Sequence, residues 1–414
     1  MTKSYYHRSN CRLCGGSKLT SILKFKSTPP ANSFITKEKI GIKQSCFPLE
    51  LFFCNHCTHV QLLDVVDPTE LFENYVYVSG TSQVFVNHFE KYVEYILTNF
   101  PQKIGSLVID IGSNDGTLLK IFKQKGIDVL GIDPAKKIAE EASQNGIETI
   151  PAFFNLELSE YIKQNYGKAS IITANNVFAH IDDLTSFVNA VSNVLDIEGI
   201  FVFEVSYLVD VIEKTLFDMT YHEHLSYHSV KPLIDFFKKN EMELIDVIRV
   251  NTHGGSIRGV VKQKNSSYKI KKTVGELCEL ERKLKLDKIE TYKKFEKQIE
   301  TKKQELQQLL LRLKNENKRI AGYGAPAKLT TLLYHFDIDN KVIDFIVEDN
   351  PLKQGKFSPG MNIPILTPEE IYNKKPDYLI ILAWNFAESI IEKHHSYLKN
   401  GGHFIIPLPN LEVR

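Results

Sequence analysis

The segment SLVIDIGSNDGTLLKIF (106–122) constrains the fold more than any other stretch of this sequence. It begins as an apolar strand, passes through a turn that contains Gly112 and Gly116, and continues with the period of a helix. Further strands follow at KGIDVLGIDPA, ASIITANNVFAHIDDL and GIFVFEVSYL, and the pair MELIDVIRV and GGSIRGVVKQ predicts a final antiparallel hairpin. Strands that alternate with helices predict an α/β fold with a mostly parallel, doubly wound sheet.

The turn after the first strand lacks the middle glycine of a dinucleotide-binding GxGxxG turn. Its form, D-x-G-x-x-x-G from Asp110 to Gly116, resembles motif I of class I S-adenosylmethionine (SAM) methyltransferases. SAM carries no phosphate that must approach the backbone, and Asp133, after the next strand, can accept hydrogen bonds from ribose hydroxyls. A nicotinamide cofactor, or a turn that binds nothing, is the alternative. The expected SAM-binding residues are Asp110, Gly112, Asn114, Gly116, Asp133, Asn175 and Asn176.

Four of the six cysteines occur as two CxxC pairs, CRLC and CNHC. Each pair can donate two sulfurs from one tight turn, and four thiolates suit tetrahedral zinc. A closed site of this kind is structural, because it leaves no coordination position for substrate. The long spacer between the pairs weakens the match, and a redox pair or free buried thiols are the alternative. The expected zinc ligands are Cys11, Cys14, Cys54 and Cys57.

The stretch TYHEHLSYHS (220–229) concentrates three histidines, two tyrosines and a glutamate. A metal cage that uses His222 and His224, an acid/base site, and an ordinary polar loop are three interpretations. Ligands of open α/β sheets bind beyond the carboxyl ends of the strands, so this stretch should overhang the methyl donor. That position favours acid/base chemistry; for His222 and His228 individually, a loop histidine bonded to backbone remains at least as good an explanation.

A second α/β unit follows residue 265. Seven apolar residues from Tyr292 to Leu313 recur at helical spacing, and RIAGYGAPAKL, VIDFIVEDN and PDYLIILAWN predict further strands. Gly322, Gly324 and Ala327 form GxGxxA, a weak signal for NAD that leaves a purely structural unit as the alternative.

The bulk composition narrows the class of protein. A chain of 414 residues is too long for a single hydrophobic core, so more than one domain is expected. A net charge of +1 creates no electrostatic field that would attract nucleic acid or an anionic membrane. The sequence shows no secretory signal and no apolar run that could span a bilayer, and its cysteines do not suggest a disulfide framework. We therefore expect a cytoplasmic protein without membrane or nucleic-acid partners, and a monomer by default because no strict heptad run is present.

Motifs in the same order along essentially the whole chain resemble the sugar-nucleotide C-methyltransferases of branched-chain deoxysugar biosynthesis, which have an N-terminal zinc domain. Besides the two CxxC pairs they include PPANSF, YVYVSGTS, IDIGSNDGTLL, NVFAHIDDL, FDMTYHEHLSYHS, HGGSIRG, GYGAPAKLTTLL, EDNPLKQGKFSPG and PDYLIILAWN. Asp133 stands where the family's pattern has Glu, Met219 where Thr is more frequent, and Pro326 where a small residue is usual.

The resemblance implies transfer of methyl from SAM to a carbon beside the keto group of a nucleotide-linked, dTDP-type 4-keto-deoxysugar. It implies His224 as the general base, with Tyr221, Glu223, His180 and Tyr75 as further catalytic residues. It also implies that the C-terminal unit holds the nucleotide of the substrate. The expected substrate-binding residues are Tyr77, Ser79, Tyr207, Gly322, Tyr323, Gly324, Lys328, Glu348, Asn350, Trp384 and Asn385.

The fold class expected is therefore α/β, with a class I methyltransferase sheet between a small zinc domain and a second Rossmann-like domain. The expected bounds are 1–68 for the zinc domain, 69–265 for the SAM-binding domain and 266–414 for the C-terminal domain. The competing functions are an O- or N-methyltransferase acting on a sugar or small metabolite, an NAD-dependent oxidoreductase that uses the GxGxxA turn, and a non-catalytic sensor.

Overall fold

The computed structural model describes residues 4–72 and 83–414. The N-terminal part is a small β structure. In strand β3, buried Leu51 and Phe53 alternate with partly exposed residues, so one face of its sheet lies on the core. Its elements are β1 (Tyr5–His7), β2 (Leu19–Lys24), β3 (Glu50–Cys54), β4 (Val60–Leu62), β5 (Asp64–Val66) and α1 (Pro68–Phe72).

The middle part is the expected doubly wound unit. Among the described residues its sheet has seven strands in the order β12-β13-β10-β9-β6-β7-β8. All run in one direction except β13, which is antiparallel to both β10 and β12; the β12–β13 hairpin was expected. The elements are α2 (Gln83–Asn99), β6 (Leu107–Ile111), α3 (Thr117–Gln124), β7 (Asp128–Ile132), α4 (Lys136–Gln144), β8 (Thr149–Ile150), α5 (Leu156–Asn165), β9 (Ala169–Asn175), α6 (Leu184–Val194), β10 (Leu195–Ser206), α7 (Leu208–Glu213), β11 (Ser226–Tyr227), α8 (Val230–Lys239), β12 (Met242–Val250) and β13 (Ser256–Gln263).

The C-terminal part is a second Rossmann-like unit. Its strands follow the order β16-β15-β14-β17-β18-β19, parallel except for β19. The seven apolar residues predicted for one helix face are all buried on α10. The elements are α9 (Lys272–Lys283), α10 (Ile289–Asn315), β14 (Ile320–Tyr323), α11 (Leu329–His335), β15 (Ile346–Val347), β16 (Ile365–Leu366), α12 (Glu370–Lys374), β17 (Tyr378–Ile381), α13 (Ala387–Lys393), α14 (His395–Lys399), β18 (His403–Ile406) and β19 (Glu412–Val413).

The segment between α7 and α8 (214–229) lies between the N-terminal and C-terminal parts. Its strand β11 pairs with β4 and so extends the N-terminal sheet. On the other side, Phe217 stacks on Phe336 with ring centroids 4.7 Å apart. The histidine-rich stretch is therefore held by all three parts of the protein.

None of the helices in 4–72 and 83–414 is long and apolar enough to cross a membrane.

Candidate active site

The turn after β6 has the tight geometry that its glycines predict. Gly112, Asn114 and Gly116 have positive φ angles of 73°, 52° and 75°. A Cβ atom on Gly112 would lie 2.3 Å from a methyl carbon of Val177, in the segment after β9. Two neighbouring strand ends therefore approach each other so closely at this point that only glycine fits.

Two buried carboxylates accompany this turn. Asp133 accepts hydrogen bonds from the backbone N–H groups of Asn114 (2.9 Å) and Ala135 (2.8 Å), and burial raises its pKa. Asp110 accepts a 2.6 Å bond from the hydroxyl of Thr173, and burial raises its pKa to about 7. A bound ammonium group would favour the ionised form of either carboxylate.

Asn175 and Asn176 end the neighbouring strand β9. Asn176 has a positive φ of 56°, and both amide atoms of Asn175 are buried without a hydrogen-bond partner among the described residues. With the two carboxylates they offer donors and acceptors at the carboxyl end of the sheet. This set fits a cofactor that presents ribose hydroxyls and an amino-acid group, as SAM does.

A buried cluster of charged side chains that was not predicted from the sequence lies at the end of β10. Its central residue is Glu204, which lies near the carboxyl end of this strand. Its carboxylate accepts from Arg258 at 2.5 Å and lies 2.8 Å from the Nε2 atom of His88. The guanidinium of Arg258 in turn lies 4.0 Å from the ring centroid of Tyr92. The partners come from β13 and α2, and no local motif links them.

The four cysteines of the CxxC pairs meet at one point, as expected. Their sulfur atoms all lie within 4.8 Å of one another. The distances Cys11–Cys57 (3.5 Å) and Cys14–Cys54 (3.6 Å) are close to the ~3.8 Å edge of a tetrahedron with Zn–S bonds of about 2.3 Å. The backbone N–H of Gly16 donates to the sulfur of Cys14 at 3.3 Å, as in a thiolate-holding turn. The cluster fits zinc.

His224 lies in a geometry that defines its tautomer. Its Nδ1 atom is 2.9 Å from the carbonyl oxygen of Met219, and its Nε2 atom is 2.8 Å from the hydroxyl of Tyr221. A carbonyl can only accept, so Nδ1 carries a proton, and in the neutral imidazole the basic nitrogen is Nε2. That nitrogen lies on the side of the tyrosine hydroxyl.

His180 and Glu223 lie beside this pair. The His180 ring stacks between Phe72 (centroids 5.5 Å apart) and His224 (5.2 Å), and burial lowers its pKa to about 4. Glu223 accepts a 2.8 Å bond from the side-chain amide of Asn32, a residue that the sequence analysis missed. Asn32 belongs to the PPANSF motif, but the motif by itself did not indicate a role for this residue. Tyr75, Tyr77 and Ser79 lie outside the described residues.

The other two histidines of the stretch belong to the packing between domains. His222 donates from Nε2 to the carbonyl oxygens of Phe47 (3.3 Å) and Pro48 (3.2 Å), and burial lowers its pKa to about 4. His228 is buried on Phe178, with ring centroids 5.1 Å apart. Within the described part of the chain the cysteines form the one group of potential metal ligands found. The geometry thus supports an acid/base cluster rather than a metal cage.

The predicted substrate residues of the C-terminal part fall into two groups. Lys328 donates to the side-chain oxygen of Asn385 at 2.6 Å, and its ammonium lies 3.4 Å from the ring centroid of Trp384. Burial lowers the pKa of Lys328 to about 7. The indole N–H of Trp384 donates to Asp218 at 2.6 Å. Three predicted residues thus lie together, around a carboxylate that was not predicted.

The second group surrounds the glycine turn after β14. Glu348 accepts from the backbone N–H groups of Ala325 (2.6 Å) and Asn350 (2.9 Å). Gly324 has a φ of 85°, and a Cβ atom on Gly322 would lie 2.6 Å from Leu382. The carboxylate of Glu348 therefore accepts the hydrogen bond of a turn N–H group, that of Ala325, which the phosphate of a dinucleotide would need.

A cavity of about 510 Å³ lies next to Tyr323, the residue between the two glycines of this turn. The hydroxyl of Tyr323 donates to Asp349 at 3.0 Å and lies 3.0 Å from the Nε2 atom of His394. Asp349 and His394 line the cavity with Gln354, Thr367, Tyr372 and Lys393. Tyr207 lies apart from this region: its buried hydroxyl donates to Glu281 at 2.9 Å.

Models of known families match three successive parts of the chain. They are described as "Putative zinc binding domain" over residues 11–72, "Methyltransferase domain" over residues 85–247 and "C-methyltransferase C-terminal domain" over residues 251–409. Among curated proteins, the C-methyltransferase NovU of Streptomyces niveus is 35% identical over 403 residues, which cover 97% of this chain and 96% of NovU.

Two solved structures that resemble the chain do so over less than half of its length. A magnesium protoporphyrin IX methyltransferase of Synechocystis PCC 6803 with bound SAM is 15% identical, covers 43% of this chain and 79% of that one, and has a TM-score of 0.33. A methyltransferase complex with the Trm112 activator of Haloferax volcanii is 12% identical over 44% and 95% of the two chains, with a TM-score of 0.36. Scores this low support no inference about this chain.

Proposed function

The chain belongs to the SAM-dependent C-methyltransferases with an N-terminal zinc-binding domain, and we propose that its acceptor is a nucleotide-linked 4-keto-deoxysugar, dTDP-linked in the first instance. The methyl group goes to the carbon next to the ketone, in a pathway that makes branched-chain deoxysugars. Sugar carbons are poor nucleophiles until a proton leaves them, and the adjacent ketone makes that loss feasible by delocalising the charge. The protein must therefore supply a base at this carbon.

His224 is the proposed base, and its hydrogen-bond geometry is the observation that carries the proposal. The carbonyl of Met219 holds a proton on Nδ1, so Nε2 is the nitrogen that would take the proton of the sugar carbon. The imidazolium that results is stabilised by the same carbonyl. A general base of this kind contributes typically about 10²–10⁴-fold to a rate.

Tyr221 is the proposed donor to the enolate oxygen. Its hydroxyl bonds to Nε2 of His224, and substrate binding would exchange this acceptor for the keto oxygen of the sugar. Tyr75 is a second proposed donor. Neutral His180, stacked on His224, and Glu223, bonded to Asn32, line the same region and are proposed to contact the substrate's oxygens.

When bound, SAM supplies an electrophilic methyl group on a positively charged sulfur. Transfer of this methyl group to the enolate carbon would give the methylated keto sugar and S-adenosylhomocysteine. Asp110 and Asp133 favour the cofactor's cationic and ribose groups, and the glycine turn lets them approach. The four thiolates of the zinc site leave no open coordination position, so its role is structural.

The C-terminal domain is proposed to hold the nucleotide of the substrate. The cavity next to Tyr323, about 510 Å³, has the size of small-molecule sites. The bond from Ala325 to Glu348 takes a phosphate-binding amide, and the carboxylate would repel a diphosphate at the glycine turn. We therefore place the substrate's diphosphate outside the turn, and the same bond disfavours the alternative of an NAD-dependent oxidoreductase. Transfer to oxygen or nitrogen would require no base at a carbon.

The test measures exchange and transfer separately. Wild type and His224→Asn are incubated in D2O with dTDP-4-keto-deoxysugars, first without and then with SAM, and the sugar mass is recorded. Wild type should introduce deuterium without SAM and one methyl with it, whereas His224→Asn should lose at least ~100-fold in both. Methyl transfer without any exchange competence would instead indicate an O- or N-methyltransferase, and unimpaired exchange by His224→Asn would show that another group is the base.

A further inference from the structure

Asp218 belongs to the methyltransferase domain but has its carboxylate inside the C-terminal domain. The residue is 1% exposed, and its Oδ2 atom accepts the 2.6 Å bond from the indole of Trp384. Trp384 follows β17, and Gly324 follows the adjacent parallel strand β14. Because β15 and β17 flank β14 on opposite sides, this is where the strand order of the C-terminal sheet reverses. Doubly wound sheets bind their ligands in such a crevice.

The crevice is shaped for this carboxylate. Lys328 lies over the indole, and Asn385 accepts a hydrogen bond from its amino group. The second oxygen of Asp218 has no hydrogen-bond partner among the described residues, so the indole bond to the first oxygen is the side-chain contact that holds this carboxyl group. On its other side the indole abuts Gly254 of the HGGS motif, where a Cβ atom would lie 2.8 Å from the ring.

Neighbours of Asp218 in the chain are fixed by the same domain. Phe217 stacks on Phe336, and the carbonyl of Thr220 accepts a 2.5 Å bond from the hydroxyl of Thr331. Between them lies Met219, whose carbonyl oxygen is the acceptor for Nδ1–H of His224. The position of the group that defines the tautomer of His224 therefore depends on contacts made by the C-terminal domain.

We propose that Asp218 and Trp384 are positioning residues for the catalytic base: the ligand crevice of the C-terminal domain holds the Asp218 carboxylate and so places the Met219 carbonyl against His224. This inference rests on the proposed role of His224. In this arrangement the crevice contains a carboxylate of the protein itself and not a cofactor. The C-terminal domain then acts on proton abstraction directly, besides any part in binding the nucleotide.

Trp384→Phe is the main test, because it removes the N–H donor and keeps a ring beside Lys328. The matched control is Tyr397→Phe, which removes a buried 3.0 Å bond from an aromatic hydroxyl to the carbonyl of Pro376 in the same domain. Thr331→Val, nearly isosteric, removes one contact to the 217–220 segment and serves if Trp384→Phe fails to fold. The readouts are SAM-independent deuterium exchange as a function of pH, and the KM of the keto sugar.

Trp384→Phe should exchange about 10- to 100-fold more slowly, since a hydrogen bond that supports a charged group is lost. The acid limb of its pH–rate profile should move to lower pH, because a less stabilised imidazolium loses its proton more readily. KM should change little. Thr331→Val should show the same shift at a few-fold loss, and Tyr397→Phe should match wild type.

Asp218→Asn adds a spectroscopic readout, because Trp384 is the chain's single tryptophan and its fluorescence reports on this crevice alone. A changed emission together with slower exchange is expected. Unchanged pH profiles in Trp384→Phe and Thr331→Val would overturn the inference, as would a raised KM alone, which would make Trp384 a direct substrate contact. If His224→Asn exchanged normally in the same series, another group would be the base and this inference would fail with the role of His224, while exchange by wild type would still support the proposed function.

Discussion

Gly112→Ala tests the close approach on which the cofactor turn depends. Gly112 has a φ of 73°, a conformation that costs an L-residue about 1–2 kcal/mol. The added Cβ atom would also lie 2.3 Å from a methyl carbon of Val177, and such overpacking typically costs a further ~1–3 kcal/mol. The variant should therefore be less stable by about 2–5 kcal/mol, a large part of the stability of an ordinary domain.

Gly146→Ala separates the two costs. Gly146 has a similar φ of 84°, but nothing lies within 4 Å of a Cβ atom built there. Its substitution should cost only the backbone part, about 1–2 kcal/mol. Val177→Ala combined with Gly112→Ala should recover the overpacking part, which a double-mutant cycle measures as a coupling energy.

Urea unfolding gives the stabilities, and calorimetric titration gives SAM affinity. Gly112→Ala should bind SAM at least about tenfold more weakly, which corresponds to a displacement cost of ~1.4 kcal/mol or more. Gly146→Ala should bind it as wild type does. Equal destabilisation by Gly112→Ala and Gly146→Ala, with no rescue by Val177→Ala, would refute the argument from close approach.

Two further predictions concern the N-terminal domain. Cys14→Ser should lower the bound zinc, measured by mass spectrometry, and lower the melting temperature, because metal binding contributes several kcal/mol to folding; zinc retained at one ion per chain would contradict the four-thiolate site. Burial lowers the pKa of His222 in the folded protein to about 4, whereas a histidine in the unfolded chain has a pKa near 6.5. The neutral ring therefore contributes its full stabilisation above pH 6.5, and this contribution is lost as the pH falls toward 4. Between these values the wild-type protein should lose about 1.4 kcal/mol of unfolding free energy per pH unit through His222. His222→Gln, which can keep a donor near the carbonyl of Pro48, should show a correspondingly smaller dependence of this free energy on pH in urea unfolding. Identical pH dependences would mean that His222 is protonated in the folded protein.

Features that depend on neighbours in sequence could be predicted. Glycine spacing predicted the cofactor turn, because Gly112 and Gly116 need positive φ angles whatever the rest of the chain does. The CxxC pairs predicted two ligands from each turn, and the helical period predicted the buried face of α10. Alternating strands and helices predicted both sheets, since βα units pack by general rules of handedness and connection.

The stretch TYHEHLSYHS shows where this kind of reasoning ends. Its composition marked it as functional but did not separate a base from a donor to backbone. His224 and His222 are two positions apart, yet one ring contacts Met219 and Tyr221, and the other contacts the N-terminal domain. The partners of His224 are three and five positions away in the chain, whereas the carbonyl of Phe47 that binds His222 is 175 positions away.

Sequence alone thus determined the fold class, the zinc ligands and the family of reactions, because these follow from local patterns and from motifs in a fixed order. Tertiary structure alone decided which side chains meet: Asn32 with Glu223 across 191 positions, and Trp384 with Asp218 across 166. No periodicity links residues at such separations. Their contacts arise only when three folded parts pack on one segment, whereas the hydrogen bonds of His224 to Met219 and Tyr221 lie within that segment.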